Sequence, residues 1–159
     1  MAIRQIRLDS DPILRKKSRE VENIDDKILT LLDDMVETLD AAQGVGLAGP
    51  QVGVLKRAII VNVNECYKMI NPEILETSEP ELGSEGCLSV PGYVGMVTRP
   101  KKVKAKFTDE TGKERIIEAE GLEARCICHE IDHLNGILYT DLTEEVYTLE
   151  ELENLEKDE

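Results

Sequence analysis

Tryptophan is absent from the 159 residues and phenylalanine occurs once, so the interior must be built from aliphatic side chains. Histidine is nearly as scarce, with two in the whole chain. Positive charge is in deficit: 19 Lys and Arg stand against 33 Asp and Glu, a formal net charge of −14. That argues against direct nucleic-acid binding, because gripping phosphates needs clustered cations. Nine of the acids lie between Asp141 and Glu159 beside a single lysine, the pattern of a solvated helix face or tail. No apolar run approaches the ~20 residues needed to cross a bilayer, and the opening MAIRQIRLDSDPILRKK lacks the apolar core of a signal peptide. The four cysteines form no C-x-x-C pair, which favours reduced thiols when no secretory signal precedes them. These absences lead to the expectation of a cytoplasmic protein with no membrane partner.

What is present fits one domain spanning residues 1–159, with 41% hydrophobic residues and a length suited to a single core. Residues 23–42 repeat Ile24, Ile28, Leu31, Leu32, Met35, Val36 and Leu39 at helical steps, which predicts a helix with Asn23 as N-cap. GVGLAGPQVG (44–53) reads as a glycine-rich loop, RAIIVNV (57–63) as a buried strand, and MINPEIL (69–75) as a strand interrupted at Pro72. Residues 78–100 carry Pro80, Gly83, Gly86, Pro91, Gly92 and Gly95 and read as turn-rich. Alternation on both sides of Thr111-Gly112 predicts a hairpin over 101–121, and helical spacing returns from Leu122 to Leu134, stopped by Asn135-Gly136. Residues 143–159 form an acidic tail or helix. The order lacks regular βαβ alternation, so the expected class is α+β.

GVGLAG matches G-x-G-x-x-G, but a dinucleotide fingerprint must follow a strand and open a helix. Here the segment follows a helix and meets Pro50. Its glycines are better explained as letting the backbone pass close to a bulky group or a ligand.

Residues 128–136 read CHEIDHLNG and hold both histidines, His129 and His133, in an H-E-x-x-H spacing. Positions i and i+4 lie on one helical face, so two imidazoles can share a divalent metal with Glu130 beside a bound water. Further ligands must come from cysteine, aspartate or glutamate. Cys126 lies about 7.5 Å below the metal height at ~1.5 Å rise per residue, and Cys128 is rotated about 100° off the histidine face. Both read as packing residues, with Cys126 near the wall of the site. Cys66 closes a predicted strand and has no motif around it. Cys87 ranks first on geometry, since a turn-rich segment can bring its thiolate to the helix from outside.

The three segments GVGLAGPQVG (44–53), EGCLSV (85–90) and CHEIDHLNG (128–136), in this order, resemble the peptide deformylase family, with similarity from DPILRKKS to about Leu142. The resemblance implies small antiparallel sheets packed around a central metal-binding helix. It implies Cys87, His129 and His133 as metal ligands and Glu130 as general acid/base. Gln51 and the Leu88 N–H would bind the oxygen of the tetrahedral intermediate. Gly46 would contact substrate backbone, Val45, Leu122 and Cys126 would line the methionine pocket, and Glu85, grouped with the substrate site, would pair with Arg99. Gly49 stands where the family usually has alanine, which is expected to loosen the loop, and Cys128 where it often has glutamine.

The implied activity is metal-dependent removal of the formyl group from the N-terminal formyl-methionine of new bacterial polypeptides. The implied cofactor is one divalent metal, with Fe(II) favoured and Zn(II), Ni(II) or Co(II) compatible with a His₂Cys set. The implied partner is an N-formyl-methionyl polypeptide met near the ribosome by a monomer. Residue chemistry alone reaches metal-assisted amide hydrolysis. It leaves open an H-E-x-x-H endopeptidase, or a structural or sensing metal module closed by a fourth ligand such as Cys126 or Cys128.

Overall fold

The computed structural model describes residues 2–157, with side chains described as far as residue 155. The first helix, α1 (Asp26–Ala42), is capped by Asp25, whose carboxylate accepts the Ile28 N–H at 3.0 Å. The expected cap, Asn23, lies two residues too early. Ile24 packs against the core from outside the helix, and Asp25 takes the cap from an extended conformation. After α1 the chain forms a short strand, β1 (Gly46–Ala48), and a 3-10 turn, Gly49–Val52. The glycine-rich segment is thus partly an edge strand, paired antiparallel to β2 (Ala58–Asn62).

The period of two along β2 determines the layering. Ala58 and Ile60 face α1 with Leu31, Leu32, Met35 and Leu39, whereas Ile59 and Val61 face the opposite side. Two buried faces explain why RAIIVNV is apolar throughout. β3 (Cys66–Thr77) runs through Pro72 rather than stopping there. Asn71 adopts a left-handed φ of 50°, the register shifts between Ile70 and Glu73, and the Asn71 side chain holds the Val21 N–H and carbonyl, both at 2.9 Å. A bulge accommodates the proline. Cys66 opens this strand instead of closing the previous one.

Residues 80–100 correct the expectation of a turn-rich segment. They form an antiparallel ribbon, β4 (Pro80–Cys87) and β5 (Val90–Pro100), joined by the two residues Leu88 and Ser89. Gly83 and Gly95 are points of close approach, not turns: a Cβ on the first would meet the Arg125 guanidinium at 2.8 Å, and on the second the Tyr139 ring at 2.6 Å. The expected hairpin follows as β6 (Lys102–Thr108) and β7 (Glu114–Glu120). Helix α2 covers Leu122–Leu134, as the spacing predicts. The chain ends in β8 (Val146–Thr148), paired to β5, and α3 (Leu149–Lys157). The last two residues of the acidic tail lie outside the described residues.

All strands are antiparallel, in a five-stranded sheet ordered β1-β2-β3-β6-β7 and a three-stranded sheet ordered β4-β5-β8. Helix α2 packs Ala124, Ile127, Ile131 and Leu134 against Ile59, Val61, Met69, Val103 and Ala105. The architecture is α+β, with two small sheets around one buried helix. No described helix is long and apolar enough to cross a membrane.

Candidate metal centre

Helical spacing aims His129 and His133 the same way, and their Nε2 atoms lie 3.2 Å apart with the rings at 72°. The two-residue turn at the end of the β4–β5 ribbon brings Cys87 Sγ to 3.3 Å from His133 Nε2. One donor atom from each of Cys87, His129 and His133 falls within 4.8 Å of the others. Two nitrogens bound at ~2.0–2.1 Å in a tetrahedral site stand about 3.3–3.4 Å apart, so the observed spacing fits a shared cation. Burial disfavours charge on both rings, yet Glu130, Cys87 and Glu85 hold His129 well above its ordinary pKa. Burial, followed by the neighbouring His129, pushes His133 well below.

Orientation of His129 comes from Glu85. His129 Nδ1 donates to Glu85 Oε1, and Arg99 makes a bidentate pair with the same carboxylate at 2.7 and 3.1 Å. Arg125 adds a third contact at 3.1 Å. Burial alone would raise the Glu85 pKa, but the hydrogen bonds from His129 and Arg99 outweigh it and bring it down to about 2. An ionised carboxylate can only accept, so the proton sits on His129 Nδ1 and the Nε2 lone pair faces the cation site. Glu85, expected beside the substrate, has both oxygens engaged by protein groups.

Glu130 follows His129 in α2 and is 3% exposed. Burial pushes its carboxyl up to about 7, against the pull of His129. Its Oε1 has no hydrogen-bond partner in the protein. Opposite it, β1 approaches so closely that a Cβ on Gly46 would come within 2.5 Å of both Glu130 Oε2 and Cys126 Sγ. The bulky neighbour expected for this glycine is therefore helix α2 itself.

Cys87, His129 and Glu130 line one pocket of about 460 Å³, with Val45, Gly46, Leu88, Leu122 and Cys126 in its walls. Val45 and Leu122 are exposed at the rim, whereas Cys126 is buried and donates to the Val45 carbonyl at 3.4 Å. Gln51 is buried alongside, its amide nitrogen 3.6 Å from Cys87 Sγ. Cys128 is buried in the cluster around α2 and does not line the pocket. Gly49 does not loosen its loop: a Cβ there would meet the Val54 and Lys56 carbonyls at 2.8 Å, so glycine lets the chain close more tightly.

Four contributors went unread in the sequence: Ser89, Arg125, Asp132 and Tyr139. Asp132 pairs with Arg99 at 2.5 Å, and Tyr139 stacks on His129 with centroids 6.1 Å apart. Arg125 had a readable signal, a charge four residues before His129 and so on the same face of a buried helix.

The model of the family described as polypeptide deformylase matches residues 3–147. The chain belongs to that family. Among deformylase relatives, peptide deformylase 1 of Clostridium acetobutylicum is 59% identical over 142 residues, covering 89% of this chain and 95% of the relative. The peptide deformylase of Natranaerobius thermophilus is 52% identical over 154 residues, covering 95% and 99%. Of solved deformylases, that of Thermotoga maritima superposes with a TM-score of 0.86 at 40% identity, covering 89% of this chain and 98% of that one. That of Ehrlichia chaffeensis in complex with actinonin gives 0.88 at 40% identity, covering 100% and 99%.

Proposed function

We propose that this chain removes the formyl group from the N-terminal formyl-methionine of newly made polypeptides. In this reading Cys87, His129 and His133 hold one divalent cation, and Glu130 manages the proton. The observation that carries it is a buried carboxylate with a free oxygen, one helical position from the two-imidazole, one-thiolate cluster and facing the same pocket. When bound, the cation supplies a Lewis acid that polarises the formyl carbonyl and lowers the pKa of water from ~15.7 to ~7.

Glu130 takes a proton from the attacking water as the C–O bond forms, then delivers it to the amine nitrogen as the C–N bond breaks, releasing formate and a free N-terminus. A carboxyl poised near neutrality suits both transfers. The Gln51 amide and the Leu88 N–H donate to the formyl oxygen as negative charge collects there, a contribution worth ~3–4 kcal/mol per donor in comparable sites. Gly46 admits the substrate backbone, and Val45, Leu122 and Cys126 form the wall for the methionine side chain. Glu85 acts through His129 and not on substrate.

The Cys87 thiolate softens the donor set, which is compatible with Fe(II), Zn(II), Ni(II) or Co(II), and the resemblance to deformylases favours Fe(II). An Fe(II) enzyme would be oxygen-sensitive through the iron and through the Cys87 sulfur. Such substrates emerge at the ribosome in the cytoplasm, and a pocket built from one chain's residues suffices for a monomer. The test is Glu130→Gln. Full metal content with a ~10²–10⁴-fold loss of formyl-Met-peptide hydrolysis is expected; near-normal turnover with full metal would reject the role.

A further inference from the structure

The Gln51 carboxamide is held at both ends. Its oxygen accepts the Ala48 N–H at 3.0 Å, and its nitrogen donates to Ser89 Oγ at 3.0 Å. A flipped amide would turn its NH₂ toward the Ala48 N–H, donor against donor, so one orientation is selected. Ser89 then takes one of the two amide hydrogens and leaves the other on the side of Cys87 Sγ. Both side chains are buried, Gln51 to 1% and Ser89 to 0% exposure.

The backbones of the same two residues are gripped from outside the pocket. The Arg7 N–H donates to the Gln51 carbonyl at 2.7 Å, and the Asp9 N–H to the Ser89 carbonyl at 2.8 Å. The Arg7 guanidinium lies over Gly53, where a Cβ would meet it at 2.8 Å. Two N–H groups two residues apart in an N-terminal segment therefore join two loops that are 38 residues apart in sequence.

We propose that Ser89 and the backbone of residues 7–9 are a positioning clamp for the Gln51 carboxamide. They touch neither substrate nor cation, and they set the direction of the one amide N–H left for the oxyanion. The inference rests on Gln51 being an oxyanion donor in the deformylase reading. It also gives the N-terminal segment a part in the reaction although it lies outside the pocket.

The experiment uses Zn-loaded full-length protein and a formyl-Met peptide. Gln51→Ala should lower kcat by ~10²–10³. Ser89→Ala should lower kcat by about tenfold, with KM within about twofold and full metal content, because the donor survives but is misaimed. Ser89→Ala should cost nothing further in the Gln51→Ala background. In ¹H–¹⁵N spectra the two Gln51 side-chain amide protons should exchange with each other and with solvent faster in Ser89→Ala. Asp9→Pro removes one clamp N–H while leaving both buried side chains intact, and should reproduce these kinetic and spectral changes in weaker form. It keeps the test open should Ser89→Ala not fold. Normal kcat and unchanged Gln51 resonances in Ser89→Ala and Asp9→Pro, with Gln51→Ala impaired, would overturn the clamp alone. Normal kcat in Gln51→Ala would overturn the donor role beneath it, and a wild-type protein inert toward formyl peptides would overturn the deformylase reading itself.

Discussion

The five-stranded sheet presses on α2 through Ile59, Val61, Met69 and Ala105, whereas the three-stranded sheet reaches the same helix through Glu85 and Arg99, with Arg125 and His129 of the helix meeting Glu85. Few buried apolar residues belong to the second region, chiefly Val90, Val97 and Tyr139. The candidate metal centre straddles the two: His129 and His133 ride on the helix that the aliphatic sheet supports, and Cys87 arrives on the ion-paired ribbon. Apolar contact is non-directional, so it supports a helix without dictating the ribbon's reach. Forked guanidinium pairs are directional. Arg125 also donates to the Val97 and Glu81 carbonyls at 2.8 and 2.9 Å, so it fixes the ribbon along its length. Reach of the ribbon that carries Cys87 depends on polar geometry, and support of the helix that carries both histidines depends on packing.

Glu85→Ala should break this comparison most severely. It strands two buried guanidinium groups and His129 Nδ1, with an expected loss of about 3–5 kcal/mol by denaturant titration. A ~10–100-fold weaker metal affinity by chelator competition should accompany it. Ile127→Ala, a cavity on the aliphatic side, should cost about 2–5 kcal/mol but leave the metal affinity of the folded fraction within a few-fold. If the two variants weakened metal binding equally, the division of labour would be wrong.

A third comparison uses pH. Folding lowers the Glu85 pKa from 4.5 to about 2, so the unfolded chain binds more protons across that window. The stabilisation is therefore complete above pH 4.5 and is lost as pH falls toward 2. Glu85→Gln should accordingly be less stable than wild type at neutral pH, with the gap closing across that acidic range in urea midpoints. The smallest effect belongs to Lys106, whose pairs with Glu73 and Glu114 are exposed and 3.7 Å long. Lys106→Ala should shift stability by less than about 0.5 kcal/mol.

Helix α2 was legible residue for residue because its spacing and its stop signal are local. The two-histidine half of the centre followed from it. The ribbon was not legible: glycine in a strand and glycine in a turn look alike in sequence, and only the nonlocal Arg125 and Tyr139 distinguish them. Cys87 lies beside both histidines whether its segment is read as a turn or as a ribbon, since either reading puts it at a bend. Ser89 and Arg125 escaped notice because their partners, Gln51 and the Glu81 and Val97 carbonyls, lie 28 to 44 residues away.

The bare backbone at Gly46 has a consequence for how selectivity can vary. That wall of the cleft has no side chain to exchange, and α2 leaves no room to add one. Its width there is thus a constant of the scaffold. Any retuning of which chain ends are admitted must come from the exposed lip at Val45, Tyr93 and Leu122, where a new group can project into water without displacing the acid.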